Sequence, residues 1–363
     1  MKARIEQALH AAWRKNGLLS LLLWPLSCLY ASVAARRRNA FMRHPERVHH
    51  DTVPVVVVGN IYVGGTGKTP VVIALIQALK ERGWQPGVVS RGYGAQLGDK
   101  PRTGQGRLDA DLFGDEPALI AAATGVPVAV HPDRKAAILR LRKQYPSIDV
   151  VVSDDGLQHL ALGRDLEIIV QDARGVGNGL LLPAGPLRES PDRLQSADFI
   201  VNNLQPGETA PLSRHLGAYT VDMRLVPARV EHLDSGAILN WKDWLAGHKK
   251  SDCAAVAAIG RPERFFSMLR NHGLSILQTR ALPDHYDYRQ SPFQGMDAQC
   301  ILITPKDAVK CGKFNEPRLY CVHPAQRFSK PEWLDLVHER LNALSKRKHA
   351  AALQETDVYS RQP

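Results

Sequence analysis

Cysteine and aromatic residues are scarce in this 363-residue sequence, and both shortages exclude classes of protein. The five cysteines are scattered and odd in number, so they form neither a disulfide framework nor a CxxC zinc pattern, which is typical of a reducing compartment. Aromatic residues make up 6% of the chain and do not alternate with its arginines. The net charge of +11 therefore does not indicate nucleic-acid binding. With 44% apolar and 23% charged residues, the composition is that of a globular protein.

A glycine-rich loop at residues 59–70, GNIYVGGTGKTP, follows the strand-like run VPVVVV. The standard phosphate-binding pattern has a glycine where this chain has Tyr62, and the lysine usual before the GG pair in one branch of P-loop proteins is Val63. A phosphate cradle nevertheless needs only inward-facing backbone N–H groups, tight turns and a helix N-terminus. The alternative is a glycine-rich turn without a ligand. We predict a nucleotide-binding loop formed by Gly64, Gly65, Thr66, Gly67, Lys68 and Thr69, with Lys68 on the β- and γ-phosphates and Thr69 on Mg²⁺.

Strand-like and helix-like segments alternate from residue 51 to about residue 205, which predicts a doubly wound, mainly parallel α/β sheet of the P-loop NTPase type. A Pro- and Gly-rich stretch near residue 205 indicates a connection. The pattern then restarts as a smaller C-terminal α/β domain. We predict an N-terminal segment over 1–50, a P-loop core domain over 51–205, a smaller second domain over 206–345 and a mobile tail over 346–363.

Acidic residues stand where two of these segments begin or end. VVVSDDGLQH ends a buried strand in Asp154 and Asp155, which we predict to serve Mg²⁺, although an Asp-Asp-Gly turn alone has no such meaning. GDEP opens a helix, where Asp115 or Glu116 could cap the helix or act as a general base. The sequence leaves these alternatives open.

Basic residues and one histidine supply further candidates. Arg188 ends the rigid loop LPAGPLRES, where it could clamp a phosphate or be a surface residue on a turn. Arg91 and Arg134 are weaker candidates of the same kind. His285 lies between two acids in PDHYD and would not be selected on its chemistry alone. The segment TPKD lacks the Asn-Lys-x-Asp fork that reads guanine, so ATP is the predicted nucleotide.

The excess positive charge surrounds an apolar segment near the N-terminus. Residues 1–50 contain nine Lys and Arg against two Glu, a net charge of +7, and residues 17–35 carry no charge. The segment fits a secretory signal, a spanning helix, an interfacial helix or a buried helix. We favour an interfacial helix, because Pro25 interrupts a run shorter than the ~20 residues that a span needs, and because arginines bind anionic headgroups. Secretion would also separate the loop from ATP.

The ordered motifs GGTGKTP, RGYG, GDEP, HPDR, DDGLQH, LPAGPLRE, DHY and KDAVK resemble the tetraacyldisaccharide 4′-kinase family of lipid A biosynthesis over residues 15 to 345. One departure is Pro305, where that family typically has Glu. The resemblance implies transfer of the ATP γ-phosphate to the 4′-hydroxyl of a tetraacyldisaccharide 1-phosphate, at the cytoplasmic face of the inner membrane of Gram-negative bacteria. A membrane-associated P-loop NTPase that acts as a conformational switch is the alternative.

The resemblance also implies a role for individual residues. Lys68 and Thr69 would bind phosphate and Mg²⁺, and Asp154 and Asp155 would serve the metal. Asp115 would be the base, assisted by His285. Arg188 would face the phosphates. The implied partners are a lipid substrate and a membrane surface with anionic headgroups, and no oligomeric state is implied.

Overall fold

A computed structural model describes residue 13 and residues 17–211, 217–248, 251–311 and 314–360, with side chains described as far as residue 350. The helices, numbered in chain order within these ranges, are α1 (Leu18–Arg43), α2 (Lys68–Glu81), α3 (Ala110–Phe113), α4 (Asp115–Thr124), α5 (Arg134–Gln144), α6 (Trp241–Gly247), α7 (Pro262–Asn271), α8 (Pro305–Cys311) and α9 (Trp333–Ser360).

The strands of the same ranges all join one sheet. They are β1 (Val55–Gly59), β2 (Pro86–Ser90), β3 (Arg102–Gly104), β4 (Val128–Val130), β5 (Val150–Asp154), β6 (Leu166–Asp172), β7 (Phe199–Asn203), β8 (Tyr219–His232), β9 (Ile238–Asn240), β10 (Cys253–Ala257), β11 (Gln278–Ala281), β12 (Cys300–Ile303) and β13 (Leu319–Phe328). Their order is β11-β10-β12-β13-β8-β7-β6-β1-β5-β2-β4-β3, with β9 on β8.

The sheet is mainly parallel, and helices such as α2 and α5 cover its two faces. Antiparallel pairing occurs only between β3 and β4, β8 and β9, and β8 and β13 among the described strands. β1 shows how the two faces are filled, since Val56 and Val58 pack toward α2 whereas Val55 and Val57 pack toward Ile138 of α5. The predicted doubly wound α/β sheet is confirmed.

The long antiparallel pair of β8 and β13 joins the two halves of the sheet. Val221 of β8 belongs to the apolar core of the N-terminal half, and Val230 of the same strand belongs to a core formed by α6, α7 and β10. Separate apolar cores on one continuous sheet are compatible with the predicted domains, whose boundaries stay a prediction. The mobile tail also stays a prediction, although α9 runs to Ser360 and Lys348 Nζ donates to Asp165 Oδ2 at 2.8 Å.

Helix α1 presents an apolar surface to solvent. Its exposed apolar side chains include Leu18, Leu21, Leu22, Trp24, Leu26, Leu29 and Val33. Pro25 lies inside the helix without ending it. Among the described residues, α1 is the one helix that is long and apolar enough to cross a membrane, judged by length and composition alone.

Candidate active site

The glycine-rich loop between β1 and α2 has the backbone shape that a phosphate cradle requires. Gly67 is the residue before α2 and has φ +90°, and Gly64 has φ +89°, both in the left-handed region that favours glycine. Asn60 Nδ2 donates to the Gly64 carbonyl at 3.1 Å, and Asn203 Nδ2 donates to the Thr66 carbonyl at 2.9 Å. Two buried asparagines therefore fix a loop whose N–H groups remain available at a helix N-terminus.

Lys68 and Thr69 form the first turn of α2 and are both buried. Lys68 Nζ lies 3.3 Å from Asp155 Oδ1. This contact forms because β5 pairs with β1 and ends beside the loop, with Asp154 in register with Val58. The predicted lysine and the predicted acids thus meet at the carboxyl edge of the sheet, where ligands of such sheets bind.

The two adjacent carboxylates differ in their electrostatic surroundings. Burial, together with the negative charges of Glu116 and Asp155, raises the pKa of Asp154 to about 7. Burial also acts on Asp155, but the positive charges of Lys68 and Arg188 outweigh it and lower the pKa of that carboxyl. Asp155 has φ +49°, which turns its side chain from the strand toward the loop.

The carboxylates fit a divalent cation. Asp154 Oδ1 is buried and has no hydrogen-bond partner, while its Oδ2 accepts from Ser90 Oγ at 3.3 Å. An unpaired buried carboxylate oxygen is costly unless a cation compensates it. The donor set of two carboxylates and the Thr69 hydroxyl consists of the hard oxygen ligands that Mg²⁺ prefers.

Arg188 approaches the same carboxylates from the loop between β6 and β7. Its Nη1 lies 3.5 Å from Asp155 Oδ2 and 3.4 Å from Gln158 Oε1. Its backbone N–H donates to the Ile61 carbonyl at 2.7 Å, so the arginine is attached directly to the segment that leads into the glycine-rich loop. The structure therefore brings Arg188 to the site predicted for it.

A second group of polar side chains unites both halves of the sheet. His285 Nδ1 lies 3.0 Å from Asp115 Oδ2, and Lys310 Nζ lies 2.7 Å from the same oxygen. Asp115 begins α4 in the N-terminal half, whereas the other two residues belong to the C-terminal half. Burial opposes ionisation of Asp115, but the hydrogen bonds from His285 and Lys310 outweigh it and lower the pKa of that carboxyl.

Neighbouring contacts support this group. Lys306 Nζ lies 2.9 Å from Asp284 Oδ1 and 4.0 Å from Glu116 Oε1. Asp307, next along the chain, accepts hydrogen bonds from the Tyr288 hydroxyl and the Thr304 hydroxyl at 2.7 and 2.6 Å. The TPKD segment thus acts structurally through Asp307, and Pro305 occupies the first position of α8, where proline is well tolerated.

A further buried carboxylate, Asp172 at the end of β6, contacts three arginines of both halves. Arg174 Nη2 and Arg261 Nη1 lie 2.7 and 3.1 Å from its Oδ2, and Arg264 Nη1 lies 3.7 Å away. Arg174 also donates to the Gly65 carbonyl at 3.3 Å. Asp172 therefore links the loop to the start of α7.

The structure brings several of the predicted residues together, and it adds neighbours that were not predicted. The predicted loop, Asp154, Asp155 and Arg188 come together at one edge, and Asp115 contacts His285. Lys310, Asn203 and the Asp172 cluster were given no role. Lys310 stands in the KDAVK motif, which was a signal for it, but nothing in the sequence connects residue 203 with residue 66.

Taken together, the loop at the helix N-terminus, the acids at the end of β5 and the Asp115–His285 pair define the class of P-loop phosphotransferases. The family model described as tetraacyldisaccharide-1-P 4′-kinase matches residues 19–342. The chain belongs to this family.

Individual relatives agree with the family assignment. The tetraacyldisaccharide 4′-kinase of Bordetella petrii is 53% identical over 344 residues, covering 94% of this chain and 96% of that protein. The protein of the same name from Herminiimonas arsenicoxydans is 43% identical over 330 residues, 88% of this chain and 92% of its own length. A crystal structure described as the "apo" form of LpxK from Aquifex aeolicus in complex with ATP has a TM-score of 0.75 at 27% identity, covering 89% of this chain and all of that one. The predicted family, fold class and lipid-kinase function are confirmed, and the switch NTPase is not favoured.

Proposed function

We propose that this lipid kinase transfers the γ-phosphate of ATP to the 4′-hydroxyl of tetraacyldisaccharide 1-phosphate at the cytoplasmic face of the inner membrane. The observation that supports the proposal most is the contact between Asp115 and His285, a pair that could accept a proton. A Cβ built on Gly260 would lie 3.2 Å from Asp284 Oδ2 and 3.6 Å from the backbone nitrogen of Gly65, so the segment that carries His285 lies beside the glycine-rich loop. A switch NTPase has no need of a base for an acceptor hydroxyl.

The glycine-rich loop and two basic side chains, Lys68 and Arg188, would hold the triphosphate. The N–H groups of Gly64 to Lys68, at the N-terminus of α2, would donate to the phosphates. Lys68 and Arg188, which both contact Asp155, would supply positive charge. Both cations contact that carboxylate in this structure and would exchange part of this contact for phosphate oxygens. Phosphoryl transfer depends mainly on such positioning and charge neutralisation.

Thr69, Asp154 and Asp155 would hold Mg²⁺, which neutralises charge on the β- and γ-phosphates when it is bound. The unpaired Oδ1 of Asp154 supports this assignment.

Asp115 and His285 would take the proton from the acceptor hydroxyl. The lowered pKa of Asp115 keeps its carboxylate ionised near neutral pH, and the His285 ring at 3.0 Å can share the proton. Lys310 would hold the carboxylate in place from the other side. Because the pair spans both halves of the sheet, acceptor activation requires that the halves stay together.

Helix α1 would place the enzyme at the membrane. Its exposed leucines would enter the interface, while Arg36, Arg37 and Arg38 near its C-terminal end would meet anionic headgroups. A lipid acceptor explains why an α/β enzyme carries such a helix. Deleting residues 1–35 should therefore weaken use of the lipid more than binding of ATP.

The test is transfer of label from ATP labelled in its γ-phosphate to tetraacyldisaccharide 1-phosphate in detergent micelles. Wild type should produce labelled lipid. Lys68→Ala should transfer the label at least ~100-fold more slowly, because removal of one group that stabilises transition-state charge typically costs about that factor. Lys80→Ala is the matched control, because Lys80 lies in the same helix and binds the Thr124 carbonyl instead. Label released only as inorganic phosphate by folded wild type would overturn the proposal.

A further inference from the structure

Helix α1 is attached to the rest of the protein by directional polar contacts, although most of its surface is exposed and apolar. Its two buried residues are Ser20 and Ser27. Ser27 Oγ donates to the Leu181 carbonyl at 2.8 Å and accepts from the Ala184 N–H at 2.8 Å. One serine thus makes two hydrogen bonds to the segment of residues 181–188, which we name the arginine loop because it ends in Arg188.

Tyr30 makes the third contact, one helical turn after Ser27 and on the same face of α1. Its hydroxyl donates to the Arg188 carbonyl at 3.1 Å. Burial raises the pKa of Tyr30, so the hydroxyl remains protonated and able to donate across the neutral range. Helix α1 therefore contacts the backbone of the residue whose guanidinium lies beside Asp155.

The arginine loop is held from its other side by the segment that leads into the phosphate-binding loop. The Arg188 N–H donates to the Ile61 carbonyl at 2.7 Å, and the Val63 N–H donates to the Pro186 carbonyl at 2.8 Å. The arginine loop is consequently a layer between α1 and the glycine-rich loop, with hydrogen bonds to both.

The side-chain contacts of Arg188 are too long to fix its position by themselves. Its guanidinium lies 3.5 Å from Asp155 and 3.4 Å from Gln158, at the long end of hydrogen-bond geometry. Its backbone, by contrast, is fixed on both sides, by Ile61 at the N–H and by Tyr30 at the carbonyl. The direction in which the guanidinium leaves the loop thus depends on α1.

We propose that Tyr30 and Ser27 are positioning residues, through which the seating of α1 on the arginine loop sets the position of Arg188 at the transferring phosphate. This inference rests on the proposed kinase function and adds to it. The membrane-facing helix then determines the rate of phosphoryl transfer as well as access to the lipid, and a loosely seated helix gives a slow enzyme.

The test is steady-state kinetics of Tyr30→Phe in detergent micelles, with the lipid and ATP varied separately. Loss of one neutral hydrogen bond should lower kcat about two- to tenfold and leave KM for the lipid within about twofold. Ser27→Ala, which removes the other two contacts, should act in the same direction. Tyr219→Phe is the matched control, because it removes a tyrosine hydroxyl that donates to Glu332 at 3.3 Å, in a contact shared with neither α1 nor the arginine loop.

A double-variant cycle separates positioning from a structural role. In an Arg188→Ala background, Tyr30→Phe should cause no further loss of kcat, because its effect passes through the missing guanidinium. Three results would overturn the inference while the kinase function stands. They are an equal loss of kcat in both backgrounds, an increase in KM without a change in kcat, and an unchanged kcat of Tyr30→Phe. A wild type that labels no lipid would instead overturn the proposed function and this inference with it.

Discussion

Replacing Gly67 by alanine tests the geometry of the phosphate-binding loop. Gly67 has φ +90°, and a Cβ built on it would lie 1.9 Å from Asn203 Nδ2. Such a separation is impossible, so the asparagine must move away and give up its hydrogen bond to the Thr66 carbonyl. The left-handed backbone costs alanine about 1–2 kcal/mol, and the lost hydrogen bond costs about 1 kcal/mol.

These two costs apply to the loop conformation that binds phosphate. Their sum of about 2–3 kcal/mol corresponds to a roughly 30- to 150-fold weaker affinity for ATP, if the variant loop relaxes when ATP is absent. The assay is a calorimetric titration of ATP in the presence of Mg²⁺. An ATP affinity within threefold of wild type would show that the loop does not need glycine at position 67.

Gly83→Ala is the matched control, because it separates backbone strain from the contact. Gly83 follows the other end of α2 and has φ +88°, but a Cβ there meets no atom within 4 Å. It should lower the thermal midpoint slightly and leave ATP affinity unchanged. Adding Asn203→Ala to Gly67→Ala should cause no further loss of ATP affinity, because the hydrogen bond from Asn203 to the Thr66 carbonyl is already broken in Gly67→Ala.

Three further predictions concern buried carboxylates. Asp115→Asn should lower kcat about 10²- to 10⁴-fold with little change in KM for ATP, because it removes the proton acceptor beside His285, as rapid-quench kinetics would measure. Asp154→Asn should raise the Mg²⁺ concentration needed for half-maximal rate at least ~10-fold, because loss even of a residue that only supports a metal ligand typically weakens metal binding by that factor. Its thermal stability should not fall, because the substitution removes a buried carboxylate that lies beside the negative charge of Asp155. Asp172→Asn should lower the free energy of unfolding by about 2–3 kcal/mol, less than a fully buried pair because its arginines are partly exposed.

The pH dependence of Asp172→Asn follows from the direction of its pKa. Burial alone would raise the pKa of Asp172, but Arg174 and Arg261 outweigh it and hold the pKa below its usual value. The stabilisation is complete above the unfolded pKa of ~3.9 and is lost as the pH falls below it. The difference in the free energy of unfolding between wild type and variant, measured with urea, should therefore be constant from pH 5 to 8. It should become smaller only at lower pH. A stability difference that grows as the pH falls would contradict the lowered pKa of Asp172. A wild-type kcat in Asp115→Asn would contradict the role of Asp115 as the base. An unchanged Mg²⁺ dependence in Asp154→Asn would contradict the role of Asp154 at the metal.

Local patterns in the sequence predicted the elements that form by local rules. The alternating strand-like and helix-like segments predicted from residue 51 to about residue 205 correspond to β1 through β7 and the helices between them. The P-loop was recognisable despite Tyr62 because Gly64 and Gly67 occupy the positive-φ positions that the cradle needs. These features depend on residues within one turn or one strand of each other.

Long-range pairing could not be predicted in the same way. β8 is 14 residues long and mostly half-buried, so it lacks the continuous apolar run that marks the central strands. Its partner β13 is far away in the sequence, since β8 ends at His232 and β13 begins at Leu319. The role of His285 could not be predicted for the same reason, because it depends on a contact with Asp115, 170 residues earlier. Only the resemblance to a family pointed to that histidine.

The proposed transfer to the 4′-hydroxyl is tested most directly by the position of the new phosphate in the product. ³¹P NMR and mass spectrometry of the lipid formed from ATP and tetraacyldisaccharide 1-phosphate distinguish two phosphomonoesters from a diphosphate at the existing 1-phosphate. We expect a second phosphomonoester on the 4′-oxygen, formed by wild type and lost in Asp115→Asn. A 1-diphosphate, or a 4′-phosphate formed equally well without the Asp115 carboxylate, would contradict it.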